Sequence, residues 1–508
     1  MKKTLAVLLA LCFCLTVLPC FAAGAPLTVS NPYADVDWTA ATLYKAALHS
    51  HTNASDGSQT LAQSVARHLA CGFDIVAITD HGTVDRGWDT DNTNIVKTLL
   101  DALDRSEGGV ELLSSAGTLP DGTAYTYTTA ENGDDYLTAD DGRTILRVPY
   151  GIENNALSVN AHVNSWFVDY ADNSVTIYED AVRGVDKAGG VCVINHPGEY
   201  TKARYELHTA DAYDEGNPAY AYYINKYAHL IDAYDACIGI DINSKGDNRT
   251  RFERKLWDIL LTRFSADGRS VLAIASSDAH QLSVIDTGFT LFPLTSLTSD
   301  ALRQALTKGE SFPASHCIGN YDELVEIAGA LREFYGETPL YESVKAAADA
   351  MAARVGAIEN GELPADEDIG ITWSVLDGDG RTDLPMPAVT GVSVDNDAHT
   401  IQIDTENASI VRFISGGKLI DTVKASDGVI DLDDYAGKLG NYVRAEIFGE
   451  GGIVYTQAFL LNAAANAGRG GSMTEGVYVN LGFFDFLLSV FNNWREIVVR
   501  FFAALPKN

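Results

Sequence analysis

Eleven histidines are spread over 508 residues, and six of them fall in a telling pattern. His49-Ser50-His51 closes one short apolar run, with Asp56 close behind. Ile78-Thr79-Asp80-His81 closes a second. Gly151-Ile152-Glu153 and Asn160-Ala161-His162 close two more. Val191–Ile194 leads into Asn195-His196-Pro197, and Val271–Ala275 into Ser276-Ser277-Asp278-Ala279-His280. A single histidine past a buried strand is ordinarily hydrogen-bonded structure. Six histidines and three carboxylates, all at or just past such ends, are a set that chance packing does not explain. In a β/α barrel the strand ends converge on one face, where the active site lies. Neutral imidazoles and carboxylates gathered there suit Zn²⁺, Mn²⁺ or Fe²⁺. Clustered divalent ions generate hydroxide at neutral pH and brace the displacement at a phosphoryl group. Hydrolysis of a phosphate ester is the expected reaction, and no Ser-His-Asp or Cys nucleophile pattern competes with it. Two alternatives remain. One is a metal-dependent amide or acetyl hydrolase. The other is a non-enzymatic cell-surface binding protein.

The elements that must position these groups are legible between them. From Leu43 to about Ser315, short apolar runs such as Ala46–Leu48, Ile75–Ile78 and Ile238–Ile242 alternate with helical patterns. Those patterns are Leu61–Leu69, Ile177–Ala188 and Phe252–Phe264. Such alternation predicts a parallel sheet or barrel. Continuous apolar runs fit strands buried on both faces. Val84–Arg143 is polar and rich in Asp, Thr and Gly, so it reads as an excursion placed as a lid over the site. Tyr321–Leu363 reads as two helices broken near Gly336–Pro339. From Gly370 the texture changes to six or seven short strands separated by turns such as Asp395-Asn396-Asp397, which predicts a β-sandwich.

The motifs His49–Gly57, Ile78–Thr83, Gly151–Glu153 with His162, Asn195–Pro197 and Ser276–His280 resemble, in order, those of the PHP (polymerase and histidinol phosphatase) domain family. The resemblance covers about residues 43–315. It implies an α/β fold, a distorted seven-stranded β/α barrel, with phosphatase or exonuclease-like activity at a trinuclear metal site. Carried over residue by residue, it puts His49, His51, Glu153 and Asp278 on one metal. Glu153 bridges to a second metal with His162 and His196, and Asp56, His81 and His280 hold a third. His49, His51, Glu153, Asp278 and His280 are the expected catalytic residues. The sequence departs from the family pattern in the long stretch between His81 and Glu153, and in Asp241, where Glu is more usual. The resulting division is a barrel over 36–320 with an insertion at 84–143, a helical segment at 321–369 and a β-sandwich at 370–463. A linker at 464–476 and an amphipathic helix at 477–508 complete it.

Composition sets the surroundings. Asp and Glu number 69 against 36 Lys and Arg, a net charge of −33. A surface this acidic opposes tight binding to long nucleic acid, and a small phosphorylated substrate is expected instead. Met1-Lys2-Lys3, an apolar stretch to Phe21 and the small residues 22–25 have the layout of a cleaved secretory signal. The protein is thus expected to be secreted or extracytoplasmic. Of the seven cysteines, Cys12, Cys14 and Cys20 lie in the expected signal, and the remaining Cys71, Cys192, Cys237 and Cys317 are too scattered for a disulfide framework. At the C-terminus, Phe484, Leu487, Leu488, Phe491, Trp494 and Val498 make one apolar helical stripe. Aromatic bulk on that face suits a helix lying on a membrane surface.

Overall fold

The computed structural model describes residues 27–93, 112–154, 162–171, 178–367, 369–468 and 473. The expected signal (1–25), the C-terminal helix (477–508) and much of the linker lie outside them. The described residues form a mixed α/β fold with eight α-helices and four sheets. None of those helices is long and apolar enough to cross a membrane.

Two sheets surround one core. In the first, Thr42–Ala47 lies parallel to Ile75–Val76, and that strand parallel to Thr144–Arg147. In the second, Leu272–Ile274, Cys237–Asp241 and Val191–Ile194 are parallel, followed by Val163–Trp166 and Ile152–Asn154. Leu48, Ala77, Leu146, Trp166, Val193 and Ile274, drawn from both sheets, pack into a single buried cluster. Two isolated parallel bridges, Ser50 with Ala279 and His81 with Glu153, join the sheets beside the histidine motifs. The approach at the second bridge is close. A Cβ on Gly151 would lie 2.5 Å from the Ile78 carbonyl oxygen, so glycine suits this position. The flanking helices match the sequence periodicity, at Leu61–Ala70, Tyr178–Ala188 and Glu253–Ser265. Thr60 starts the first with a capping box.

Three expectations are corrected. Val163–Trp166 runs antiparallel to both neighbours, so His162 stands at the start of its strand rather than past an end. The reversal brings that start to the face where the parallel strands finish. The insertion is not simply a lid: Ala116–Thr118, Ala124–Thr129 and Asp135–Ala139 form an antiparallel meander that extends the sheet from Thr144–Arg147. The C-terminal strands are not self-contained either. Gly452–Tyr455 pairs with Phe312–Ser315, and Phe459–Leu461 pairs with Val29–Ser30. Phe289, Phe312, Ala314, Val454 and Phe459 share one apolar cluster, which gives the pairing its driving force.

A buried ionic network spans the same junction. Arg254, on Glu253–Ser265, donates to both Asp247 oxygens at 3.1 and 2.8 Å and to Glu323 Oε2 at 2.7 Å. Glu323 lies on the helix Tyr321–Tyr335, which is separated from Pro339–Glu359 by the predicted break at Gly336. From the C-terminal strands, Arg412 pairs with Glu446, and Arg444 joins Glu446 at 2.7 Å to Asp258 at 2.7 Å.

Candidate metal centre

All nine predicted donors meet at the junction of the two sheets. His49 and His51 follow Thr42–Ala47, His81 follows Ile75–Val76, and Glu153 lies within Ile152–Asn154. His162 precedes Val163–Trp166, His196 follows Val191–Ile194, and Asp278 and His280 follow Leu272–Ile274. Two of these residues have left-handed backbones, His196 with φ 24° and Asp278 with φ 46°. Such conformations are unfavourable outside glycine and cluster at functional sites.

The deepest group has near-regular geometry. His49 Nε2 and His51 Nε2 are 3.0 Å apart. Glu153 Oε2 lies 3.2 and 3.1 Å from them, and Asp278 Oδ1 lies 3.2 and 3.0 Å from them. Five of the six edges of this tetrahedron are therefore 3.0–3.2 Å. Ligand atoms about 2.0–2.1 Å from a tetrahedral zinc would be about 3.3 Å apart, so the set is close to the size a metal needs. Glu153 Oε2 and Asp278 Oδ1 are buried with no aligned hydrogen-bond donor. Buried carboxylate oxygens left this way are costly unless a cation completes them.

Glu153 faces two ways. Its Oε1 is 3.2 Å from His162 Nδ1 and 3.2 Å from His196 Nε2, while its Oε2 also lies 3.1 Å from His81 Nδ1. The third set gathers on Asp56: His280 Nε2 at 3.2 Å, His81 Nε2 at 3.6 Å and His51 Nδ1 at 3.7 Å. His51 thus faces two groups where the motif assignment gave it one. The depth differs between groups. His49 and His51 are fully buried, whereas the Asp56 and His280 side chains are 38% and 34% exposed. The third set is the open side.

The two buried carboxylates of the centre are held ionised. Burial opposes ionisation of Glu153, but the imidazoles of His49 and His162 outweigh it and hold the carboxyl well below its ordinary range. Asp278 is likewise lowered: burial opposes, while Lys245 and His49 prevail. Burial pushes His81 down to about 3, so its ring is neutral and offers a lone pair.

Asp80 does not touch a ligand ring. It accepts from Thr52 N–H at 2.7 Å, Thr52 Oγ1 at 2.6 Å and Ser55 Oγ at 2.6 Å, and so fixes the turn after His51. Ser55 Oγ in turn lies 3.3 Å from His51 Nδ1. Asn243 is buried and donates to the Cys317 carbonyl, while Asn248 is exposed. His68, His208, His229, His316 and His399 join no donor group among the described residues. Cys71, Cys192, Cys237 and Cys317, the cysteines among the described residues, are free thiols. Sequence reasoning missed Glu199 and Lys245, which adjoin His196 and Asp278. Glu199 could have been noticed three residues after His196. Lys245 sits in a Ser-Lys-Gly-Asp turn with no chemical signature.

No family model and no curated protein matches the chain. Among solved structures, the chain is similar to a two-domain protein from Bacteroides vulgatus containing a predicted PHP-like metal-dependent phosphoesterase. The identity is 13%, the match covers 86% of this chain and 90% of that one, and the TM-score is 0.32. It is also similar to the lesion-specific endonuclease EndoQ from Pyrococcus furiosus, at 12% identity over 52% of this chain and 56% of that one, with a TM-score of 0.27. The described residues present a candidate metal centre of His, Asp and Glu groups.

Proposed function

We propose that this chain is an exported metal-dependent hydrolase of phosphate esters, acting on a phosphomonoester, a nucleotide or a nucleic-acid end. The two sheets around their shared core are read as the distorted seven-stranded barrel that the motifs imply. The observation that carries the function is the donor tetrahedron of His49, His51, Glu153 and Asp278, with Glu153 shared into a second group. Zn, Mn or Fe, up to three ions, fits this donor set, and such ions would supply a metal-activated hydroxide and neutralise phosphoryl oxygens. The chain's own residues then divide the work. Glu153 and Asp278, ionised and buried, fix the donors. The half-open Asp56 and His280 mark the side from which substrate enters. Nucleotide or phosphate salvage outside the cytoplasm suits an exported phosphoesterase, and the charge of −33 disfavours long polynucleotides.

The test is phosphate release from a panel of phosphomonoesters and nucleotides, with metal analysis of the same sample. His49→Ala and Asp278→Ala should abolish release while the fold persists. Full turnover in metal-stripped protein would refute the proposal, and release of amine or acetate instead of phosphate would favour the amide or acetyl hydrolase. For residues 477–508 the proposed role is contact with a membrane surface. Equal recovery of full-length and shortened protein in a lipid pellet would remove it.

A further inference from the structure

Two of the nine donors share a further group with one carboxylate from outside the histidine motifs, Glu199. His196, Glu199 and Asp278 place ligand atoms within 4.8 Å of one another. Glu199 lies in the 3-10 turn Pro197–Tyr200, and its side chain is 1% exposed. By residue type and burial the group suits a divalent ion. A lysine occupies its position instead. Lys245 Nζ lies 2.6 Å from Glu199 Oε2 and 2.8 Å from Asp278 Oδ2. On the other side of Glu199, Arg249 Nη1 is 3.1 Å from Oε1. A divalent ion entering here would meet the Lys245 ammonium at close range between two buried carboxylates, with the more exposed Arg249 guanidinium beyond Glu199.

The backbone that delivers Lys245 is held in an unfavourable shape. Lys245, Gly246 and Asp247 have φ of 52°, 62° and 65°, three left-handed residues in succession. Only glycine adopts this conformation without steric penalty. The segment is held from outside. Arg254 grips both Asp247 oxygens, and Gly319 N–H donates to Asp247 Oδ2 at 2.8 Å. Strain that the surroundings enforce at a site is a mark of a placed group, and the group placed is the Lys245 ammonium.

We propose that Lys245 is a built-in cation of the centre: its ammonium takes the place of a metal ion in the His196–Glu199–Asp278 group. The proposal rests on the reading of the nine donors as a metal centre. Its consequence is a positive charge beside Asp278 that does not dissociate and is indifferent to metal supply.

Metal content of the full chain, saturated with Mn²⁺ or Zn²⁺ and then desalted, tests this without any substrate. Lys245→Met should bind about one more ion per chain than the wild type, because Glu199 Oε2 and Asp278 Oδ2 lose the ammonium that covers them. Lys245→Arg should keep the wild-type count. Glu199→Gln in the wild-type background should also keep it, and Lys245→Met with Glu199→Gln should return to it. Lys245→Gln serves as a second neutral variant, with circular dichroism checking the fold of each. An unchanged count in both folded neutral variants overturns the proposal. Loss of one ion in Glu199→Gln also overturns it, since Glu199 would then be a ligand. A wild type that takes up no metal refutes the metal centre itself and Lys245's role with it.

Discussion

Arg254→Met probes the ionic junction directly. The Arg254 side chain is 5% exposed, and methionine replaces most of its length with apolar volume. The loss is therefore of charge and hydrogen bonds: two to Asp247, those to Glu323 and one to the Ile242 carbonyl at 3.2 Å. Asp247 keeps the Gly319 N–H, and Glu323 keeps Arg412 at 3.7 Å. Removing one partner of a buried pair costs about 3–5 kcal/mol, because the other charge is left uncompensated. Glu323 sets the pH dependence. Burial already lifts its pKa to about 7, with Arg254 opposing. Without Arg254 it rises further, so the folded variant binds a proton that the unfolded chain, with a pKa near 4.5, releases. Stability then falls as pH rises through the window above 4.5. Urea unfolding of both full-length proteins should show the larger deficit at pH 8 and a smaller one at pH 5.5. A deficit under about 1 kcal/mol at both pH values would refute the claim that this pair is buried and uncompensated on removal.

Glu153→Gln should release more metal than any other single donor change, because its two oxygens face different groups; elemental analysis of the donor series checks this, and a greater loss in His162→Ala would contradict it. A chain ending near Pro364 should be insoluble or lack cooperative unfolding, since it strips Gly452–Tyr455 from Phe312–Ser315 and removes Arg412 and Arg444 from the network; a soluble, cooperatively folded and active truncation would show the junction to be dispensable. His68 is fully buried, and burial lowers its pKa from 6.5 to about 4. The fold therefore holds it neutral, and its contribution is intact above pH 6.5 and lost as pH falls toward 4. The difference of 2.5 units amounts to about 3 kcal/mol. His68→Leu should flatten the stability profile over that window, and an unchanged acid slope would place the titration elsewhere.

Most donors were readable because they stand where an apolar run stops, and a polar side chain there must find a partner; His162 stands where one begins. Helices were readable from their periodicity and caps, as at Thr60 and at the break before Pro339. Strand direction was not. Val163-Asn164-Ser165-Trp166 has no polarity of its own, and only pairing with Val191–Ile194 reverses it. The merging of the C-terminal strands with Phe312–Ser315 escaped for the same reason: alternation shows that a strand is half buried, not against what. Lys245 was invisible because its meaning lies in three backbone angles and in contacts with residues far along the chain.

The pairing of Val29–Ser30 with Phe459–Leu461 bears on how the chain folds in time. Thr28 N–H donates to Asn462 Oδ1 at 3.1 Å, across 434 positions of sequence. The outer strand cannot find its neighbour until everything through residue 462 has been made. Contacts this distant slow folding, because loop closure precedes any reward from the contact. During that interval Phe312–Ser315 is an open strand edge, buried residue by residue in the finished protein and still waiting for Gly452–Tyr455. An apolar edge of this kind is the feature that other unfinished chains pair with. Yield in the cell should then depend on dilution and on chaperones that shield nascent sheet, more than on the final stability of the fold.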